Sequence, residues 1–216
     1  MTDAPTLMID SVRSGDAVKF LQLSATEDAA SVLVMQEAGE AGGCTLLGLA
    51  AILGHHHLVS PLLSAGVGVD DTGVSTRTPL HQAASYGHED MTVTLLKAGA
   101  NIEAASERDN GERALHLACR YGRTNLVKLL LQEGADIEAT DNEKYRPLHC
   151  ASYHGKAEVV KMLIRSGANT EAISSDRWRP LHRAALWGHL SVITELLDGG
   201  ADIEAPGSWD ASYLCE

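Results

Sequence analysis

The sequence predicts an all-α solenoid of stacked helix–turn–helix units, and three observations carry that prediction. A seven-residue segment, TPLHQAA from Thr78, returns as RALHLAC from Arg113, RPLHCAS from Arg146 and RPLHRAA from Arg179, with a weaker copy, TLLGLAA, from Thr45. The starts lie 33, 35, 33 and 33 residues apart. Each start is followed after nine residues by a glycine (Gly54, Gly87, Gly122, Gly155, Gly188) and after twenty-one by another (Gly66, Gly99, Gly134, Gly167, Gly200). Between the two glycines the apolar residues keep helical spacing. A fixed period of this length marks an architecture in which no unit can bury its apolar face alone and each covers its neighbour.

The first helix of each unit opens on the motif. Proline at the second motif position (Pro79, Pro147, Pro180) suits a first helical turn, where no N–H is needed. Small residues follow (Ala83 and Ala84, Ala118 and Cys119, Ala151 and Ser152, Ala184 and Ala185), letting neighbouring helices approach closely. The second helix carries an apolar stripe at i, i+1, i+4 and i+5: Leu126, Val127, Leu130 and Leu131 in one unit, Val159, Val160, Leu163 and Ile164 in the next, Val192, Ile193, Leu196 and Leu197 in the last. Glycine at the end of each stripe suits a left-handed cap. Pro61 falls inside the second helix of the first unit, where it removes an N–H and should kink or shorten it.

The combination TPLHxAAxxGH, then VVxLL, then GADIEA resembles the ankyrin repeat over residues 45–211. The resemblance implies stacked helix pairs with β-hairpin fingers at a right angle and a concave surface that binds other proteins. It gives five repeats, at 45–77, 78–112, 113–145, 146–178 and 179–211, after an irregular N-terminal cap over 1–44. Within that cap residues 10–23 resemble a degenerate repeat, but Gly15 lies 39 residues before Gly54, and the six-residue excess reads partly as loop. Residues 212–216 fall where a sixth motif would start, with no polar C-terminal cap, so the chain is expected to be a fragment, a short isoform or the N-terminal part of a longer array.

Composition narrows the function. Hydrophobic residues make up 44% and charged residues 21%, as in an ordinary globular chain, while only nine residues are aromatic, so the core must be aliphatic. A formal charge of −12 disfavours nucleic acid and anionic membranes as partners. No apolar run is long enough for a bilayer, and MTDAPTLMID is no signal peptide, so direct membrane insertion is not expected. Four scattered cysteines (Cys44, Cys119, Cys150, Cys215) without C-x-x-C spacing fit a reduced, intracellular protein, cytoplasmic or nuclear. No nucleophile–base–orienter set, P-loop or Rossmann glycine pattern occurs, so catalysis, cofactor binding and a small-molecule substrate are not expected.

His81, His116, His149 and His182 are motif histidines, which the resemblance implies hydrogen-bond the backbone between repeats; His55, His88 and His189 follow the repeat glycine. The His55–His57 run is the one place for a metal-dependent enzyme reading, but adjacent histidines point to different helix faces, poor geometry for shared ligation. Glu103, Glu138, Glu171 and Glu204 recur at the repeat ends, where the family often carries Asn, and read as a solvated or locally hydrogen-bonded column. Arg113, Arg146 and Arg179 replace the motif Thr; they are either a cationic strip for an acidic peptide or a finger-side salt-bridge lattice.

Aromatic residues give the best functional signal. Mapped by repeat offset onto the family's concave surface, Tyr86, Tyr121, His154 and Trp187 form one column, with Tyr153 beside it, Tyr145 and Trp178 in the fingers, and Arg120 and Leu186 as neighbours. Tyr, Trp and Arg dominate interface energetics. The competing reading packs each ring on its own repeat. The function expected is non-catalytic binding of another protein or peptide through the concave face, with a regulatory or targeting segment of a larger protein as the alternative.

Overall fold

Capped first turns and small side chains set the first helix of each repeat, and left-handed residues end it. The computed structural model describes residues 4–25 and 43–207, which divide into two compact units, Met1–Asp109 and Asn110–Glu216. The first holds α1 (Ala4–Ser14), α2 (Ala17–Ser24), α3 (Leu46–Leu53), α4 (Val59–Ser64), α5 (Pro79–Tyr86) and α6 (Glu89–Lys97). The second holds α7 (Ala114–Arg120), α8 (Thr124–Gln132), α9 (Pro147–Tyr153), α10 (Ala157–Arg165), α11 (Pro180–Leu186) and α12 (Leu190–Asp198). The expected truncated repeat at 212–216, and most of the loop expected before Thr45, lie outside the described residues.

Within each unit the first helices pack side by side. In the first, α3 packs on α1 and α5; in the second, α9 packs on α7 and α11, and α10 packs on α8 and α12. The core is aliphatic and Ala-rich, built on Leu47, Leu58, Leu62, Leu80 and Leu95 in one unit and Leu115, Leu126, Leu130, Leu148 and Leu163 in the other. Phe20 is the only Phe, Tyr or Trp side chain among the described residues that is fully buried. Pro61 has the expected effect: α4 is six residues long, preceded by a single 3-10 turn at His56–Leu58, whereas α8, α10 and α12 have nine each.

Residues 4–24 form a full helix pair, with Gly15 left-handed between the two helices (φ +72°). Two histidines of the next repeat hold that turn: His55 Nε2 donates to Arg13 O (3.2 Å) and His57 Nε2 to Gly15 O (2.8 Å). The same link recurs from the histidine after the repeat glycine, His88 Nε2 to Ile52 O (2.8 Å) and His189 Nε2 to Tyr153 O (3.0 Å). The His189 ring also explains Gly155, whose φ is +68° and whose added Cβ would meet His189 Nδ1 at 2.8 Å.

Motif histidines perform a second linkage. His116 Nδ1 accepts the backbone N–H of Arg113 (3.3 Å), which fixes the proton on Nε2, and Nε2 donates to Tyr145 O (3.1 Å). His149 repeats this with Arg146 N and Trp178 O, and His182 with Arg179 N and Ala205 O. In the first unit Thr78 supplies a complete cap, its hydroxyl oxygen accepting the His81 amide. An arginine in the same place cannot accept a hydrogen bond, so only the histidine half of that cap is made.

Connectors between repeats are tight turns, and the described residues contain no strand. One tip is closed by Asp141 N to Tyr145 O (3.0 Å), the next by Ser174 N to Trp178 O (3.0 Å), and neighbouring tips are joined by Asn142 N to Asn110 O and Ser175 N to Glu143 O. No helix among the described residues is long and apolar enough to cross a membrane.

Burial pushes His116 down to about 3, with Arg113 adding to the effect, and His149 down to about 4, with Arg146 opposing protonation. Both are neutral in the native state and take up a proton on unfolding below their ordinary value of 6.5. Their stabilisation is complete above pH 6.5 and is lost as pH falls toward 4, at roughly 1 kcal/mol per pH unit for each. Asp141, raised to about 6 by burial, works in the opposite sense between that value and its ordinary 3.8, and so offsets part of the loss. Denaturant titrations at pH 7, 5.5 and 4.5 should show stability falling with acidity, and less steeply in His149→Gln. An unchanged slope in the variant would remove His149 from the linkage.

Candidate protein-interaction site

Each of the Tyr and Trp side chains among the described residues lies outside the buried core. Tyr86, Tyr121 and Trp187 are 51%, 43% and 54% exposed, and Tyr145, Tyr153 and Trp178 are half-buried. A fold that builds its core from Leu, Val and Ala has left its large rings on the surface. Leu186, 50% exposed, and His154 are exposed as well, whereas Arg120 is half-buried.

In the second unit these residues form two connected groups. Tyr153, at the end of α9, packs edge-on against Trp187 (ring centroids 5.3 Å apart, 63°) and against His154 (4.8 Å, 68°). Such tilted pairs match the quadrupoles of the rings and hold them in fixed orientation. The finger rings are joined by a residue that sequence reasoning passed over. Arg183, buried in α11, places its guanidinium carbon 4.7 Å from the Tyr145 ring and 4.6 Å from the Trp178 ring, and pairs with Asp176. One cation thus clamps two successive fingers, and Trp187, one helical turn beyond Arg183, connects the clamp to the Tyr153 pair. Its signal was available as Arg183 beside the small residue Ala184, where the other repeats carry Gln82, Leu117 and Cys150.

Arg120 does not project freely. It pairs with Glu112 (2.5 Å), a carboxylate 2% exposed that also accepts from Cys150 Sγ (3.5 Å). Burial, with Glu112 close by, holds the Cys119 and Cys150 thiols far above their ordinary value and leaves them inert. Tyr86 belongs to the first unit, where its ring lies parallel to His88 of the same repeat (6.3 Å, 4°). That contact is packing of the ring on its own repeat.

The motif arginines are paired, which decides between their two readings. Arg146 Nε lies 3.0 Å from Glu138 Oε2 and Arg179 Nε 2.9 Å from Glu171 Oε2, as ion pairs, and Arg113 Nη1 donates to Thr140 O (2.5 Å). The other oxygen of each glutamate accepts a backbone amide from the following connector, Asn169 N at Glu138 and Asp202 N at Glu171. Glu138 and Glu171, with Arg146 and Arg179, therefore form a finger-side lattice. His55 and His57 use their Nε2 atoms on backbone carbonyls, and no cluster of three or more His, Cys, Asp or Glu among the described residues could hold a metal ion.

A family model described as ankyrin repeats (3 copies) matches residues 7–106, 47–141 and 115–206. The chain belongs to the ankyrin repeat family. The ankyrin repeat domain of human ASB11 superposes with a TM-score of 0.77 at 24% identity, covering 93% of this chain and 86% of that one, which is a likeness of fold. Two plant proteins match over a shorter stretch. A probable E3 ubiquitin-protein ligase, XBOS32, of Oryza sativa subsp. japonica is 37% identical over 62 residues, and the potassium channel AKT2/3 of Arabidopsis thaliana is 46% identical over 63. Each match spans 29% of this chain and only 12% and 8% of those proteins.

Removing the clamp should loosen the fingers. Arg183→Ala is expected to cost about 2 kcal/mol, from two cation–π contacts and one charge-assisted bond. The Ser174 amide, which donates to Trp178 O, should exchange at least tenfold faster with solvent. Unchanged exchange there would show that the fingers hold their spacing without the guanidinium.

Proposed function

We propose that this chain is a non-catalytic protein-interaction module. It takes a partner protein or peptide through the face that the ankyrin family presents as its concave side. The observation carrying this reading is the separation of roles among large side chains: the core is aliphatic, while the described Tyr and Trp residues stay at least partly exposed. In the second unit Tyr121, Tyr153, His154, Leu186 and Trp187 are the contact residues, with Arg120 at their edge. Tyr145 and Trp178 support the finger side. Tyr86 offers a contact point in the first unit. The fingers, closed as tight turns by two backbone bonds each in the second unit, set specificity. An ordered aromatic surface of this kind suits anchoring, because two-torsion side chains lose little freedom on binding.

A second reading is favoured by the lengths of the plant relatives, in which the matching repeats are a small part of the whole. In that reading the repeats regulate or target a larger protein, and the binding face performs the same task for an attached activity.

Affinity capture from lysate, read by mass spectrometry, tests the first reading with wild type beside Tyr121→Ala/Tyr153→Ala/Trp187→Ala. Each anchor is expected to contribute on the order of 1–2 kcal/mol, so the triple variant should lose its partners while remaining folded. Partners that persist on the folded triple variant would move the site to another face.

A further inference from the structure

The fingers of the second unit close on turns whose last residue is left-handed, Lys144 N donating to Asp141 O (3.1 Å) and Arg177 N to Ser174 O (2.9 Å). Four non-glycine residues have left-handed backbone: Thr76, Lys144 and Arg177, each two residues before its motif, and Asn110, three before. Asparagine accepts this conformation readily; lysine and arginine, with φ of +60° and +65°, do so only against steric resistance. Residues held in such a conformation cluster at functional sites, where the surrounding structure over-determines them.

The strained pair are also the unpaired cations of the fingers. Lys144 and Arg177 are exposed, and neither side chain has a hydrogen-bond or ion-pair partner among the described residues. By contrast, Arg146 and Arg179 pair with Glu138 and Glu171 of their own connectors, and Arg113 and Arg179 donate to Thr140 O and Pro206 O of the next. Nearby carboxylates are mostly committed. Asp141 Oδ1 accepts the amides of Glu143 and Tyr145, and Asp176 pairs with Arg183. Glu143 is the one exposed carboxylate beside Lys144 that opposes this field.

Continuity along the chain connects these cations to the aromatic surface. Lys144 and Arg177 immediately precede Tyr145 and Trp178, the two rings that sandwich Arg183, and Arg183 is one turn from Trp187, which packs on Tyr153. Fixed rings at one end and two unneutralised cations at the other describe a surface for a segment that is both apolar and negatively charged. In a chain of net charge −12, two free cations held at adjacent tips are a local reversal of the overall field.

We propose that the second unit receives an acidic peptide segment of a partner protein, with its carboxylates at Lys144 and Arg177 and an aromatic or aliphatic side chain against Tyr153 and Trp187. The proposal rests on the binding reading above and names the chemistry of the partner.

The test uses the whole chain and a random dodecapeptide display library. Wild type should enrich sequences that place Asp or Glu beside an aromatic residue or Leu. Lys144→Asn/Arg177→Asn should lose the acidic enrichment and bind the top wild-type peptide at least tenfold more weakly, while melting at the same or a higher temperature, because Asn suits the left-handed tips. Glu143→Gln should bind that peptide more tightly. Tyr153→Ala/Trp187→Ala should lose the apolar preference.

Selection of neutral or basic peptides, of none, or an unchanged affinity in the double-Asn variant would overturn the proposal. If neutral peptides are selected and Tyr153→Ala/Trp187→Ala abolishes their binding, the aromatic face stands and the acidic partner falls. If light scattering shows a dimer of wild type that the double-Asn variant does not form, a second copy occupies the face and the proposal is likewise overturned.

Discussion

The histidine-to-carbonyl hydrogen bond is the constraint on which the rest of this structure depends. A repeat of 33 residues offers a short apolar stripe and cannot fold alone, so neighbouring repeats must be held in register. Here the register is fixed through the backbone by two kinds of histidine. The motif histidines reach forward to Tyr145 O, Trp178 O and Ala205 O, while His55, His88 and His189 reach back to Arg13 O, Ile52 O and Tyr153 O. Because the acceptors are main-chain atoms, side chains at those positions are released from stacking duty.

That release accounts for the surface. With register set by imidazoles and the core filled by Leu, Val and Ala, Tyr and Trp are not needed inside, and arginine can replace threonine at the cap. The substitution removes one acceptor from the helix start, but the guanidinium then joins Glu138 or Glu171 in the adjoining connector, and the same glutamate holds the next backbone amide. Local capping is exchanged for longer-range linkage between fingers.

Much of the fold was legible because the repeat writes the same physical instruction several times. Glycine at a left-handed cap, proline at a first turn and an apolar stripe at helical spacing predict the helix pairs over 45–200, and Pro61 shortened α4 as its missing N–H requires. The N-terminal pair was less legible, since only Gly15 and the pattern around it survive, and its anchor histidines, His55 and His57, sit 42 residues away in sequence. For the site, exposure of Tyr121, Leu186 and Trp187 followed from repeat offsets. The clamp by Arg183 did not, because an arginine in place of Gln82, Leu117 or Cys150 does not by itself say that rings of two different connectors flank it. Nor did the pairing of Arg120 with Glu112, whose eight-residue separation matches neither helix nor strand spacing.

Separation of stability from binding is the central claim, and a comparison of truncations tests it most directly. Trp187→Ala removes a half-exposed ring, and Leu148→Ala removes a side chain 1% exposed in α9, the helix that ends on Tyr153. Equilibrium denaturation should show a loss of about 3 kcal/mol for Leu148→Ala and within about 1 kcal/mol for Trp187→Ala. Equal losses would contradict the claim, because the aromatic surface would then be part of the core and not a place kept for a partner.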